Sequence, residues 1–122
     1  TQAQAAAPVA AVACPSQDFR TFLKAFRNSE QIQRAYTVIP LPFTSLDEDF
    51  KDKKTLLQAS EIDFPLIGND AKLKKFGVKT SITPQKNGMR VMDSSGMSEV
   101  TVYRFAKKDR CWRLVGMENP SP

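Results

Sequence analysis

The sequence predicts an α+β domain, with N-terminal helices packed on an antiparallel sheet. Three observations carry this. Phe19, Phe22, Leu23 and Phe26 recur at i, i+3, i+4 and i+7, which is one apolar face of a helix. From Gly77 the apolar period falls to two, and short alternating runs follow each other between turn residues, the pattern of a meander. Residues 98–117 then read as an aromatic-rich hairpin. Val100, Val102, Tyr103 and Phe105 supply its first strand, Trp112, Leu114 and Val115 its second, and Lys107-Lys108-Asp109 the turn. β-branched and aromatic side chains suit a pleated surface.

Taken in order, residues 1–13 are small, uncharged and low in complexity, and predict a disordered tail. Ala3-Gln4-Ala5 and Ala5-Ala6-Ala7 look like the small-residue end of a secretory signal, as in an exported chain whose targeting segment has been removed. A single domain is expected over 14–118, with a polar C-terminal tail at 119–122. Ser16 is the expected cap of the first helix, with Asp18 in its first turn. Arg20, Lys24 and Arg27 are expected on the outer face. The phenylalanine stripe calls for a broad partner surface such as a sheet, and core packing accounts for it better than ligand lining.

A second helix is expected over 30–36, turning Ile32, Ala35 and Tyr36 inward. Residues 37–43 are extended and apolar, but Pro40 and Pro42 assign them to a sheet edge or a bulge, because proline donates nothing to a ladder. Asp47-Glu48-Asp49 is an acidic turn lacking the Gly and Glu positions of a calcium loop. Residues 51–67 accommodate a short strand and a short helix, with Leu56, Leu57 and Ile62 as their apolar members. Phe64-Pro65-Leu66-Ile67 should pack and Gly68-Asn69-Asp70 should turn. Lys72, Lys74 and Lys75 surround Leu73 and Phe76 in a charged helical turn or loop. Val78, Thr80 and Ile82 alternate along a strand, 84–88 is a turn, 89–93 another strand, and Ser94-Ser95-Gly96 a second turn.

Composition excludes several chemistries. A chain of 122 residues is one domain by size, large enough for a small core. It contains no histidine, which removes the usual general base and the ordinary Ser-His and Cys-His nucleophile systems. Two cysteines cannot build a structural zinc site alone, so neither a metal nor a cofactor is expected. No apolar run is long enough to span a bilayer. The net charge of +5 permits an acidic partner, whereas no nucleic-acid signature accompanies it.

Cys14 and Cys111 allow one intramolecular pairing, and an exported chain would retain it. That disulfide is the expectation, tying the start of the first helix to the last strand. Two alternatives stay open. Ala11-Val12-Ala13-Cys14 loosely resembles a lipoprotein cleavage site, which would put lipid on Cys14; the polar-to-small run before it ranks this lower. Two free, buried thiols in a cytosolic protein are the other.

Phe19-Arg20-Thr21-Phe22-Leu23-Lys24-Ala25-Phe26, the run from Gln31 to Arg34 before Ile39-Pro40-Leu41, Val102-Tyr103-Arg104-Phe105 and Cys111-Trp112-Arg113-Leu114 together resemble a family of small exported bacterial proteins of unknown function. That family has the nuclear transport factor 2-like fold, a cone of helices on a curved sheet. The wider fold includes isomerases, dehydratases, small-molecule binders and immunity proteins that neutralise bacterial toxins, so fold alone does not choose among them.

The first functional expectation is a non-enzymatic protein-binding module of the bacterial envelope. Its concrete form is a periplasmic or secreted immunity protein, or inhibitor, acting on an acidic effector or toxin. Arg104, Lys107, Lys108 and Arg110 are its candidate contacts, since arginine and aromatic anchors dominate interfaces. The plain alternative for any one of these is a solvated hairpin tip. The second expectation is a small-molecule or isomerase-like pocket, with Tyr36, Asp63, Tyr103 and Trp112 as its candidates. Such chemistry needs a carboxylate facing an oxyanion donor in a dry site, whereas two tyrosines in a core usually just satisfy their hydroxyls. A structural envelope protein is the third.

Overall fold

Helix α1 (Phe19–Asn28) is the piece that the sheet curves around, in a computed structural model describing residues 13–46, 48–95 and 100–119. Its cap is Asp18 rather than Ser16. The Asp18 carboxylate accepts from the Thr21 N–H at 3.0 Å and from the Thr21 hydroxyl at 2.8 Å, which holds its carboxyl below the usual range. Ser16 instead accepts from the Asp18 N–H. The stripe Phe19, Phe22, Leu23 and Phe26 is buried as expected, and Arg27 is buried with it. Arg27, expected on the outer face, lies four residues beyond Leu23 and so continues the stripe despite its charge. Ser29 ends α1 and caps α2 (Glu30–Ala35) through the Ile32 N–H. Tyr36 closes α2 as its C-cap, and Gln33 points fully inward.

Six strands follow: β1 (Leu41–Leu46), β2 (Asp52–Leu57), β3 (Lys79–Gln85), β4 (Gly88–Ser94), β5 (Val100–Lys108) and β6 (Cys111–Asn119). They form one curved sheet in the order β2-β1-β6-β5-β4-β3, not closed into a barrel. Strands β3 to β6 are the expected meander. The proline-containing segment is not at the edge: β1 is the second strand in, with β2 outside it. It runs parallel to β6, and that ladder begins only at Phe43, so the missing N–H of Pro42 falls outside it. Residues 51–67 resolve into β2 and a 3-10 turn (Ala59–Glu61), and the lysine-rich stretch into α3 (Asp70–Phe76). Asn69 caps α3, and Gly77 ends it in the left-handed region at φ 64°.

Two turns differ from expectation. Pro84 lies inside β3, which tolerates it because β3 is an edge strand; the β3–β4 turn is Lys86 and Asn87 alone. Gly88 cannot carry a side chain, because a Cβ there would lie 1.9 Å from the Phe105 carbonyl oxygen. The β5–β6 turn is Asp109-Arg110, not Lys107-Lys108-Asp109. Lys108 pairs with Cys111 across it, and both turn residues have left-handed backbone, at φ 54° and 66°. Two left-handed residues make the two-residue hairpin whose twist matches its strands.

The core is aromatic. Phe105 on β5 meets Phe19, Phe22 and Phe26 edge-on at centroid distances of 5.2, 6.0 and 5.4 Å. Leu41, Ile67, Val91 and Leu114 complete it with no exposed surface. Cys14 and Cys111 form the expected disulfide, with Cα atoms 5.9 Å apart. Residues 1–12, with the signal-like triplets and Ala11 and Val12 of the lipoprotein-like site, lie outside the described residues. So do Asp47 of the acidic turn, Gly96 of the second turn, and 120–122 of the expected C-terminal tail.

Candidate functional site

Two places in the fold gather chemistry-bearing side chains. The first is under α1. Because Arg27 faces the sheet, its guanidinium must find partners for its donors there. It grips Asp93 of β4 with two parallel bonds: Nη1 donates to Oδ2 at 2.9 Å and Nη2 to Oδ1 at 2.6 Å. Nη1 also donates to the Gly68 carbonyl at 3.1 Å, and Nη2 to the Thr80 hydroxyl at 3.0 Å. Thr80 in turn donates to Asp93 Oδ1 at 2.7 Å. A buried charge pair survives only with such saturation.

The same network holds a loop. Gln33 Oε1 accepts from the Leu66 N–H at 2.7 Å and from the Ile67 N–H at 3.4 Å. The Tyr103 hydroxyl donates to the Leu66 carbonyl at 3.2 Å. Residues 66–68, which have no ladder of their own, are thus tied to α1, α2 and β5. Burial first, and the Asp93 carboxylate second, push the Tyr103 hydroxyl well above the ordinary tyrosine range, so it stays a neutral donor. A cleft of about 210 Å3 opens beside this cluster, with Lys72, Leu73, Phe76 and Asp93 among its walls.

The four pocket candidates are spread over several places. Tyr103 belongs to the interior network. Tyr36 stands edge-on to Phe22 at 6.1 Å, under the Arg113 guanidinium at 5.4 Å. Asp63 is exposed in the loop after the 3-10 turn. Trp112 lies at the start of β6, where its indole N–H donates to the Gln17 carbonyl at 2.9 Å and its ring meets Phe19 edge-on at 4.9 Å. The residues that do converge, Arg27, Gln33, Thr80 and Asp93, were not singled out from sequence. Helical spacing from Leu23 was the available signal for Arg27; for Asp93 there was none beyond its place in a strand.

The second place is the β5–β6 tip. Lys107, Lys108 and Arg110 are exposed there, beside the disulfide. The Lys107 ammonium sits 5.8 Å above the Trp112 ring. The disulfide, the Trp112–Gln17 bond and the Phe19–Trp112 contact fix the tip against the segment entering α1. Arg104 stands apart from it, mid-strand, donating from Nε to Glu118 at 2.5 Å with both side chains partly exposed. The tip thus offers fixed positive charge on a braced scaffold. Among the described residues, no helix is long and apolar enough to cross a membrane, and no three His, Cys, Asp or Glu side chains gather as metal ligands.

Similarity to solved structures is at the level of fold. A nuclear transport factor 2-like protein from Bacteroides fragilis superposes with a TM-score of 0.61 at 18% identity, over 91% of this chain and 50% of that one. The chain therefore spans about half the length of that relative. A nuclear transport factor 2-like protein of unknown function from Shewanella baltica aligns at 14% identity over 98% and 94% of the two chains, with a TM-score of 0.44. No protein-family model and no curated protein matches the sequence. The chain has the nuclear transport factor 2-like fold.

Proposed function

We propose that this chain is a non-enzymatic protein-binding module of the bacterial envelope that grips an acidic partner through its basic hairpin tip. Its concrete form is a periplasmic or secreted immunity protein, or inhibitor, of an antibacterial enzyme. The observation that carries this reading is the tip itself: Lys107, Lys108 and Arg110 presented on a hairpin braced by the Cys14–Cys111 bond. A pre-braced surface loses little freedom on binding, and positive charge speeds encounter with an acidic protein. The disulfide supports an oxidising compartment. The non-enzymatic part is supported by the interior, where the Asp93 oxygens are engaged by Arg27 and Thr80 and aromatic rings pack beneath α1.

Co-purification from the native bacterium with mass spectrometry, alongside inspection of neighbouring genes for a toxin, identifies the partner. Lys108→Glu with Arg110→Glu should then weaken binding and flatten its salt dependence. Unchanged affinity would move the interface elsewhere, and recovery of structural envelope components alone would favour a scaffolding role. A small-molecule reading has one observation behind it, the cleft running from Lys72 and Phe76 to Asp93. A ligand-induced rise in melting temperature that Phe76→Asp abolishes would favour it.

A further inference from the structure

We infer that the partner seats one apolar side chain, carried on an acidic loop, in a groove beside the hairpin tip. This rests on the reading that the tip binds an acidic protein, and names what the partner must bring. The groove, of about 380 Å3, lies between the start of α1 and strands β3, β4 and β6. Phe19, Ile82, Pro84, Met89 and Trp112 give it apolar walls. Phe19 is buried, Ile82, Met89 and Trp112 are half-buried, and Pro84 is exposed. The Trp112 wall is preformed, because its N–H is bonded to Gln17 and its ring is set against Phe19.

Positive charge stands beside this apolar floor. Arg20 is part of the lining, and Lys107 stands over the Trp112 ring. Lys86 and Arg110 are exposed on the two turns at the same end of the sheet, and Lys108 is exposed at the end of β5 beside them. The acidic wall residue, Asp18, is engaged by Thr21 as the cap of α1. Asp109 is the other acid on these turns, so positive charge prevails. An apolar centre inside a charged rim is the anatomy of a binding hot spot. Its complement is a phenylalanine or leucine flanked by aspartate and glutamate.

Three blocked peptides test this, titrated against the full chain: GDEDFDEDG, the same with alanine for phenylalanine, and GKKKFKKKG. Anisotropy of a dye on each peptide gives affinity. The emission of Trp112, the one tryptophan in the chain, reports the groove. The acidic phenylalanine peptide should bind saturably and shift that emission. Loss of its ring, or Pro84→Asp in the protein, should each weaken it about tenfold. Pro84 is exposed, so that variant should keep its circular dichroism and melting temperature. Lys108→Glu should weaken both acidic peptides. Equal affinity of the phenylalanine and alanine peptides, or an unmoved Trp112 emission, overturns the groove while leaving the tip reading intact. If neither acidic peptide binds, or the lysine peptide binds as well, both readings fail. A concentration-dependent dimer abolished by Pro84→Asp would put a second copy in the groove and overturn the proposal.

Discussion

Two arginine–carboxylate pairs lie on opposite faces of the same sheet at nearly the same distance. Arg27 meets Asp93 at 2.6 Å on the face under α1, and Arg104 meets Glu118 at 2.5 Å on the outer face. Their surroundings differ: side-chain exposure is 4% and 10% for the first pair, 45% and 30% for the second. The inner pair has two parallel bonds, with Thr80 and the Gly68 carbonyl as further partners. Contact distance therefore says little about what a pair contributes. Solvent can replace either partner of the exposed pair far more readily than either partner of the buried one.

Asp93→Ala tests the inner pair most severely. It leaves the Arg27 charge buried without its counterion and should cost ~3–5 kcal/mol in urea unfolding. Replacing both partners by apolar residues of similar size should recover much of that loss. A single-mutant cost below about 1 kcal/mol would put the two pairs in the same class and break the comparison.

The disulfide is the next lever. Cys14 and Cys111 are separated by 97 residues, and losing a bond of that span should cost ~2–5 kcal/mol. Two reactive thiols on denatured, unreduced protein would exclude the bond; intact mass reports any lipid on Cys14.

A smaller effect is a pH dependence on the inner face. The folded state holds the Tyr103 proton more tightly than the unfolded chain does. Stability from this group is full below the ordinary tyrosine pKa of about 10 and declines as pH rises above it. Tyr103→Phe should reduce that alkaline loss in a series of melts, at the expense of its bond to Leu66. Persistence of the full alkaline loss in the variant would assign it to another group. Smallest is the outer pair: Arg104→Gln should change stability by less than ~1 kcal/mol, and less again in high salt.

The same contrast explains what could be read from the sequence. The phenylalanine stripe, the meander and the final hairpin were legible because each is a local periodicity. The inner pair was not, since Arg27 and Asp93 are 66 residues apart and a charge in a helical stripe resembles a solvated one. Gln33 escaped notice for the same reason: its partners at Leu66 and Ile67 are non-local. Proline rules offered a sheet edge or a bulge; β1 is not at the edge, because its neighbour β6 comes from far along the chain, and the pairing skips Pro42. At the tip, composition revealed the basic residues but not the positive-φ backbone, which moved the turn to Asp109-Arg110. Arg104 looked like their neighbour, but it stands mid-strand opposite Gly116 and reaches diagonally to Glu118.

The position of β6 between β1 and β5 has a consequence for synthesis. Tyr36 and Val38 exchange backbone hydrogen bonds with Leu114, Phe43 lies beside Met117, and Cys14 bonds to Cys111. The N-terminal elements thus find their seat on a strand that a ribosome delivers only after the rest of the sheet. Until residue 111 and those after it emerge, α1 carries Phe19, Phe22 and Phe26 with no β6 to complete the surface beneath them. Nascent chains stalled before that point should be held by chaperones or clump together, and emergence of β6 should switch them to protease resistance in one step.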